Sequence, residues 1–306
     1  MKWLTFYDIE QPKISGGGII NNNFYKGNEM KKNLLVAALL SVAATGAMAQ
    51  TAPTLKTQTG NEIGLTLSSY SYSEPSLGVS MKATNLGIDY TGTYAFGNDW
   101  FALGNVNYNN GPVTYSGTGT QSGIPQYYYD IKAAVGYDFA VEGIQLSPYV
   151  GLGYRYLSQQ WGGTTSSTGA LGYDRQSTYN YIPIGVINRF AVNNNKAKVE
   201  TTFEFDYLLS GNQFSGLSTL NGTHSGTTYA NVPDSNNSQK SGYGLNLTVM
   251  YKEDSWGVGP YFKYWNIQQS QTNSAVIKIN NVSYNSWVYE PSNNTKEYGV
   301  KAIYRF

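Results

Sequence analysis

The 306-residue chain has no cysteine and a single histidine. The first absence excludes a disulfide framework, thiolate metal sites and cysteine nucleophiles. The second leaves one residue, His224, for every mechanism that needs an imidazole. Charge is scarce too: 13% of residues are Asp, Glu, Lys or Arg, and the formal net charge of +1 offers no basic footprint for nucleic acid. Long hydrophobic runs are missing apart from one near the start. What fills the chain instead is Gly (34), Tyr (28) and abundant Asn, Ser and Thr, a mixture that makes poor helices. Mean hydropathy is -0.37. That value does not argue against a membrane, because a transmembrane strand needs apolar side chains on one face only.

The one apolar stretch, Leu34 to Ala49, follows Lys31 and Lys32 and ends in Ala47-Met48-Ala49 before Gln50. A charged start, an apolar middle and small residues at the end predict a signal peptide over residues 30–49, cleaved between Ala49 and Gln50. The run is short and Ala-rich for a spanning helix. Residues 1–29 precede Met30 without such logic and read as a mis-chosen translation start, with a leader extension as the alternative. Residues 50–60 then form a periplasmic N-terminal segment, and residues 61–306 the domain.

From Ile63 onward the dominant period is two. Val199, Thr201, Phe203, Phe205, Tyr207 and Leu209 alternate with Lys198, Glu200, Thr202, Glu204, Asp206 and Leu208, giving one face for lipid and one for water or ion pairs. Segments of this kind fall at about 61–73, 80–96, 100–109, 127–139, 145–157, 179–190, 196–209, 242–252, 256–267 and 296–306. Each meets the roughly 9–11 residues that a tilted strand needs. The predicted fold is all-β: a closed antiparallel transmembrane β-barrel of about ten strands, with eight or twelve as alternatives. Short turns alternate with long Gly/Ser/Thr/Asn-rich loops near 110–126, 158–178, 210–241 and 268–296, which places the loops on one side. In the last loop, Val276 to Asn280 and Val282 to Tyr289 flank an Asn turn and predict a hairpin above the membrane. Pro148, Pro183 and Pro260 fall inside strands, where missing donors point to bulges. In 179–190 Tyr181 and Ile182 both suit the outer face, so the register there is open. Aromatics at the ends of the apolar tracks, such as Tyr127, Tyr137 and Phe139, suit two girdles at headgroup level.

The final run Tyr298-Gly299-Val300-Lys301-Ala302-Ile303-Tyr304-Arg305-Phe306 resembles the β-signal of bacterial outer-membrane barrels. The resemblance implies a Gram-negative outer-membrane location, contact with membrane lipid and lipopolysaccharide, and recognition of Tyr304 and Phe306 by the barrel-assembly machinery. It names no activity.

The inward faces carry Asp89, Asp130, Asp138, Glu200, Glu204, Asp206 and Glu297 against Lys132, Arg155, Lys198, Lys252, Lys263, Lys301 and Arg305. Balanced signs in a narrow lumen predict a structural ion-pair network, with a selectivity-setting channel as the competing reading. Outer-membrane enzymes such as the omptin proteases pair a histidine with an acid or serine. His224 sits in Asn221-Gly222-Thr223-His224, with Gly222 where an acid would stand. The expectation is a non-catalytic barrel with a structural or adhesin-like surface-binding role through its loops and an extracellular ligand. The alternatives are a narrow porin-like channel for small solutes and a hydrolase using His224. No cofactor or metal is expected.

Overall fold

The computed structural model describes residues 55–141, 144–193 and 197–306. The expected leader and the cleavage position between Ala49 and Gln50 lie outside the described residues, as do parts of two of the expected short turns. Ten strands form one antiparallel sheet: β1 (Gly60–Glu74), β2 (Val79–Ala95), β3 (Trp100–Asn110), β4 (Gln126–Tyr137), β5 (Ile144–Gln159), β6 (Arg175–Val192), β7 (Ala197–Ser215), β8 (Gly242–Lys252), β9 (Trp256–Ile267) and β10 (Asn293–Arg305). Each pairs with its neighbour in sequence, and β10 closes on β1. At that seam Asn61 and Phe306 exchange backbone hydrogen bonds of 3.0 and 3.1 Å. Closure gives every strand a neighbour on both sides, which hydrocarbon favours because it holds no water to replace a missing partner.

The period of two decides which face meets lipid. Leu65, Leu86 and Leu152 are about two-thirds exposed, and Ile88, Val106, Ile131, Val135 and Val300 lie outward with them. Aromatic rings gather at both ends of this apolar band. On the loop side Tyr129 stacks on Tyr156 with centroids 5.1 Å apart, next to Tyr108, Tyr127 and Tyr154. On the turn side Tyr137 contacts Trp100 at 5.4 Å and Phe139 at 4.7 Å, and Tyr304 stacks on Phe306 at 6.4 Å.

The strand prolines are not at bulges. Register is unchanged across each of them, and the ladder to one neighbour simply lapses there. Gly136 pairs with Tyr149 and Phe139 with Leu146 on either side of Pro148. The β5–β6 ladder stops at Val150–Ile184 and resumes at Gly153–Tyr181 around Pro183, and the β8–β9 ladder breaks between Thr248–Tyr261 and Tyr251–Val258 around Pro260. A missing N–H removes one ladder bond without forcing an extra residue. The register shift of the β6–β7 pair instead lies between Leu208 and Ser210, with no proline.

Three of the four long loops carry strands of their own, while residues 160–174 hold turns and one bridge between Thr165 and Leu171. β6 and β7, at 18 and 19 residues, outlast the membrane and raise a wall above it. The hairpin Val113–Gly117 and Gly119–Ile124 adds to β2, and Ser235–Gln239 adds to β7. Gly222–His224, Thr227–Ala230, Asn273–Ile279 and Val282–Val288 make a separate four-stranded sheet. Asn280 and Asn281, with φ of 50° and 66°, supply the left-handed pair that a two-residue hairpin turn needs.

Candidate functional site

The inward positions meet across the lumen. In the middle, Lys132 on β4 reaches Glu204 on β7 at 2.6 Å. Glu204 also accepts from the Tyr149 hydroxyl at 2.6 Å and from Asn246 Nδ2 at 3.0 Å, and the same amide donates to Asp206 at 2.7 Å. Lys301 on β10 reaches Asp89 on β2 at 2.5 Å, while Lys263 on β9 donates to Asn107 on β3 at 2.8 Å. Glu204 and Asp206 are each 1% exposed, so losing a partner would strand a charge away from water.

Above this layer Glu297 accepts from Tyr128 at 2.6 Å, Tyr261 at 2.7 Å and Ser68 at 3.0 Å. The Arg155 guanidinium lies 4.1 Å over the Tyr128 ring and 3.6 Å from Asp130, which also accepts from the Tyr181 hydroxyl. Below it Lys252 sits between Glu62 at 2.9 Å and Glu200 at 2.7 Å, and Arg189 Nε binds Glu200 at 2.7 Å. The stretch ahead of β1 reaches across the turn-side end of the lumen. Thr57 N donates to Asp138 at 2.7 Å, Arg189 donates to the Thr57 hydroxyl at 3.1 Å, and Lys56 pairs with Asp99. A cavity of about 160 Å³ remains in the middle of the lumen and one of about 70 Å³ below it. Lys198 and Arg305 line the lower one and make no ion pair within 4 Å among the described residues; Arg305 reaches only the Gln58 carbonyl, at 3.4 Å.

Thus, of the fourteen charges expected inside, most are joined across strands, while Lys263, Glu297 and Asp206 are held by neutral partners and Lys198 and Arg305 stay apart. Sequence reasoning missed Glu62 and Arg189, one of each sign. Arg189 was hidden by the open register of its strand. Tyr181 is in fact buried and Ile184 about half exposed, which sets odd positions inward and brings Arg189 into the lumen.

A second cluster was also missed, at the loop-side mouth. Arg175, the first residue of β6, lies 3.2 Å from Glu74 at the end of β1 and binds Glu290 in the last loop. The Tyr72 hydroxyl is 2.7 Å from Glu74 and 3.0 Å from Glu290. Burial pushes the Glu290 carboxyl up to about 7, with the Arg175 charge opposing and the Glu74 charge adding. Ser270 and Glu290 pin the loop by hydrogen bonds of 2.8 and 2.9 Å. His224 stands elsewhere, on the outer sheet. Its Nε2 is 3.2 Å from the Leu220 carbonyl and its ring lies 6.4 Å from that of Tyr229. Among the described residues no group of three or more His, Cys, Asp or Glu is arranged to hold a metal ion.

Tyr304 and Phe306, the expected assembly signal, face outward at the seam. A family profile for the outer membrane protein beta-barrel domain matches residues 35–209, more than half of the chain. The chain belongs to that family. Membership places this outer membrane protein barrel in the outer membrane and leaves its activity open. No curated protein matches the sequence. Solved structures similar to the chain include the outer membrane protease OmpT from Escherichia coli, at 11% identity over 83% of this chain and 100% of that one, with a TM-score of 0.43. The translocator domain of the autotransporter NalP from Neisseria meningitidis is 10% identical over 90% of this chain and 96% of that one, with a TM-score of 0.36. A mutant of the TodX monoaromatic hydrocarbon channel is 9% identical over 81% and 91%, with a TM-score of 0.30. Such distant likenesses carry no argument about what this barrel does.

Proposed function

We propose that this protein is a non-catalytic outer-membrane barrel whose extracellular loop assembly contacts ligands at the cell surface, and whose lumen serves structure rather than transport. The observation that carries the reading is the contrast between the two. The lumen is crossed at several levels by ion pairs and by the Thr57 contacts below them, while the loops build a separate four-stranded sheet. In that sheet Ile277 is fully buried against Leu217, Leu220, Tyr229 and Val232, so packing absorbs much of the apolar content of the last loop. Val276 and Val282 remain more than half exposed and offer the outer contact surface. The protein reaches its site by cleavage between Ala49 and Gln50, and its apolar band meets outer-membrane lipid and lipopolysaccharide.

Because both long loops share one core, they must be shortened together. Replacing 217–232 and 273–288 by short turns is expected to leave the barrel folded while abolishing adherence of cells that display it. Unchanged adherence, combined with an effect of Lys132 or Glu204 substitution, would move function into the lumen. That second reading, a narrow channel for small solutes, is favoured by one observation, the charge-lined cavity of about 160 Å³. A hydrolase reading rests on His224 alone; its ring meets a backbone carbonyl, and His224→Ala is expected to change no surface activity.

A further inference from the structure

Between the Arg175 cluster and the outer sheet lies a cavity of about 140 Å³. Its walls are mainly apolar and aromatic, among them Met81, Tyr115, Trp161, Leu171, Leu217 and Trp287, and its floor is Arg175 with Glu74 and Glu290. Trp161 is held firmly: its ring meets Tyr115 edge-on at 5.0 Å, and its carbonyl accepts from Thr164 N at 3.0 Å. The size matters, since a dry apolar cavity of roughly 150 Å³ takes up one benzene ring.

Two residues that line this cavity, Trp161 and Arg175, each carry a buried donor with no partner among the described residues, Nε1 and Nε respectively. Trp161 is only 7% exposed, and an unmet buried N–H is costly. Both orphan groups donate, so the missing partner must accept. The guanidinium already faces two carboxylates, so a further anion would meet repulsion, and an acceptor without charge fits best. We propose that the extracellular mouth holds a binding site for an uncharged, single-ring molecule bearing an acceptor oxygen, whose ring lies among the aromatic walls and whose oxygen takes the Trp161 indole N–H. The outer sheet supplies Trp287 to the wall, but its outward residues Val276 and Val282 do not line the cavity, so the site is separate from the outer contact surface.

The test is titration of the full barrel, refolded in lipid nanodiscs and labelled with ¹⁵N at tryptophan, with acetophenone as the probe. The indole N–H signal that disappears in Trp161→Phe identifies the group, and that variant keeps an aromatic wall while losing the donor. The Trp161 signal is expected to move saturably with acetophenone, and Trp161→Phe is expected to weaken binding about tenfold, as read from the other pocket signals. Ethylbenzene, which keeps the ring and a two-carbon side chain but has no acceptor, is expected to bind about tenfold more weakly, and benzoate more weakly than acetophenone. A Trp161 signal that does not saturate, equal responses to acetophenone and ethylbenzene, or tighter binding of benzoate would each overturn the proposal. Heat-modifiability of Trp161→Phe on gels checks that it folds, and Leu217→Trp, which fills the cavity, is expected to abolish the saturable response while leaving Trp161 its donor.

Discussion

At the residue scale, the lumen places full charges where water is scarce, and the consequence is asymmetric. Lys132 neutralises Glu204, and Asp206 stands two residues further along the same face. Lys132→Met would leave two neighbouring carboxylates sharing only neutral donors. Breaking a buried pair from one side costs about 3–5 kcal/mol, whereas replacing both members by apolar groups is often close to neutral. The urea midpoint of the refolded barrel is therefore expected to fall sharply in Lys132→Met and to recover in large part in Lys132→Met with Glu204→Leu. Equal midpoints for the single variant and the parent would show that the pair contributes nothing. The mouth gives a pH effect of opposite sign to that of an ordinary paired carboxylate. Glu290 is raised from 4.5 to about 7, so between those values the folded barrel keeps a proton that the unfolded chain has released. Stability contributed by this group falls as pH rises from about 4.5 to about 7 and is level above. Glu290→Gln is expected to flatten that fall, which midpoints measured at pH 5 and pH 8 in both proteins would reveal. Identical differences in the two proteins would contradict it.

At the element scale, β10 and β1 depend on each other. Phe306 ends the girdle by stacking on Tyr304, and its backbone closes the seam with Asn61. Deleting Phe306 is expected to reduce the heat-modifiable, folded fraction in outer membranes under modest expression, and an unchanged yield would remove the role assigned to that residue. The strands themselves were legible because lipid and lumen impose opposite chemistry on alternate residues, as they do from Val199 to Leu209. Two features blurred the signal. Tyr181 carries a ring that suits lipid and a hydroxyl that suits Asp130, and only the second is used, so its strand could not be phased and Arg189 stayed hidden. Above the membrane both faces of a strand meet protein or water, so alternation fades. The Asn280-Asn281 turn still marked its hairpin, but the pairing of Tyr229 with Ile279, which joins two loops distant in sequence, leaves no local trace. For the same reason Glu74, Arg175 and Glu290 read as separate polar residues until the barrel brought them together.

At the scale of the whole molecule, a ten-stranded barrel is somewhat wider than the roughly eight-stranded one whose side chains just fill it. The extra width is occupied by long charged and aromatic side chains and by the segment that carries Thr57 under Asp138 and Arg189. Levels of cross-strand contact alternate with small cavities from the turn side to the loop side, in keeping with the proposal that the barrel serves structure and the loops contact ligands. Single-channel recording in planar bilayers tests this most directly. The refolded protein, shown to be folded by its gel mobility, is expected to give no steady conductance at moderate voltage, and Lys132→Met is expected to remain closed because the levels above and below it persist. A stable ohmic conductance in the parent protein, altered in size or ion preference by Lys132→Met, would contradict the account and make the lumen the working part.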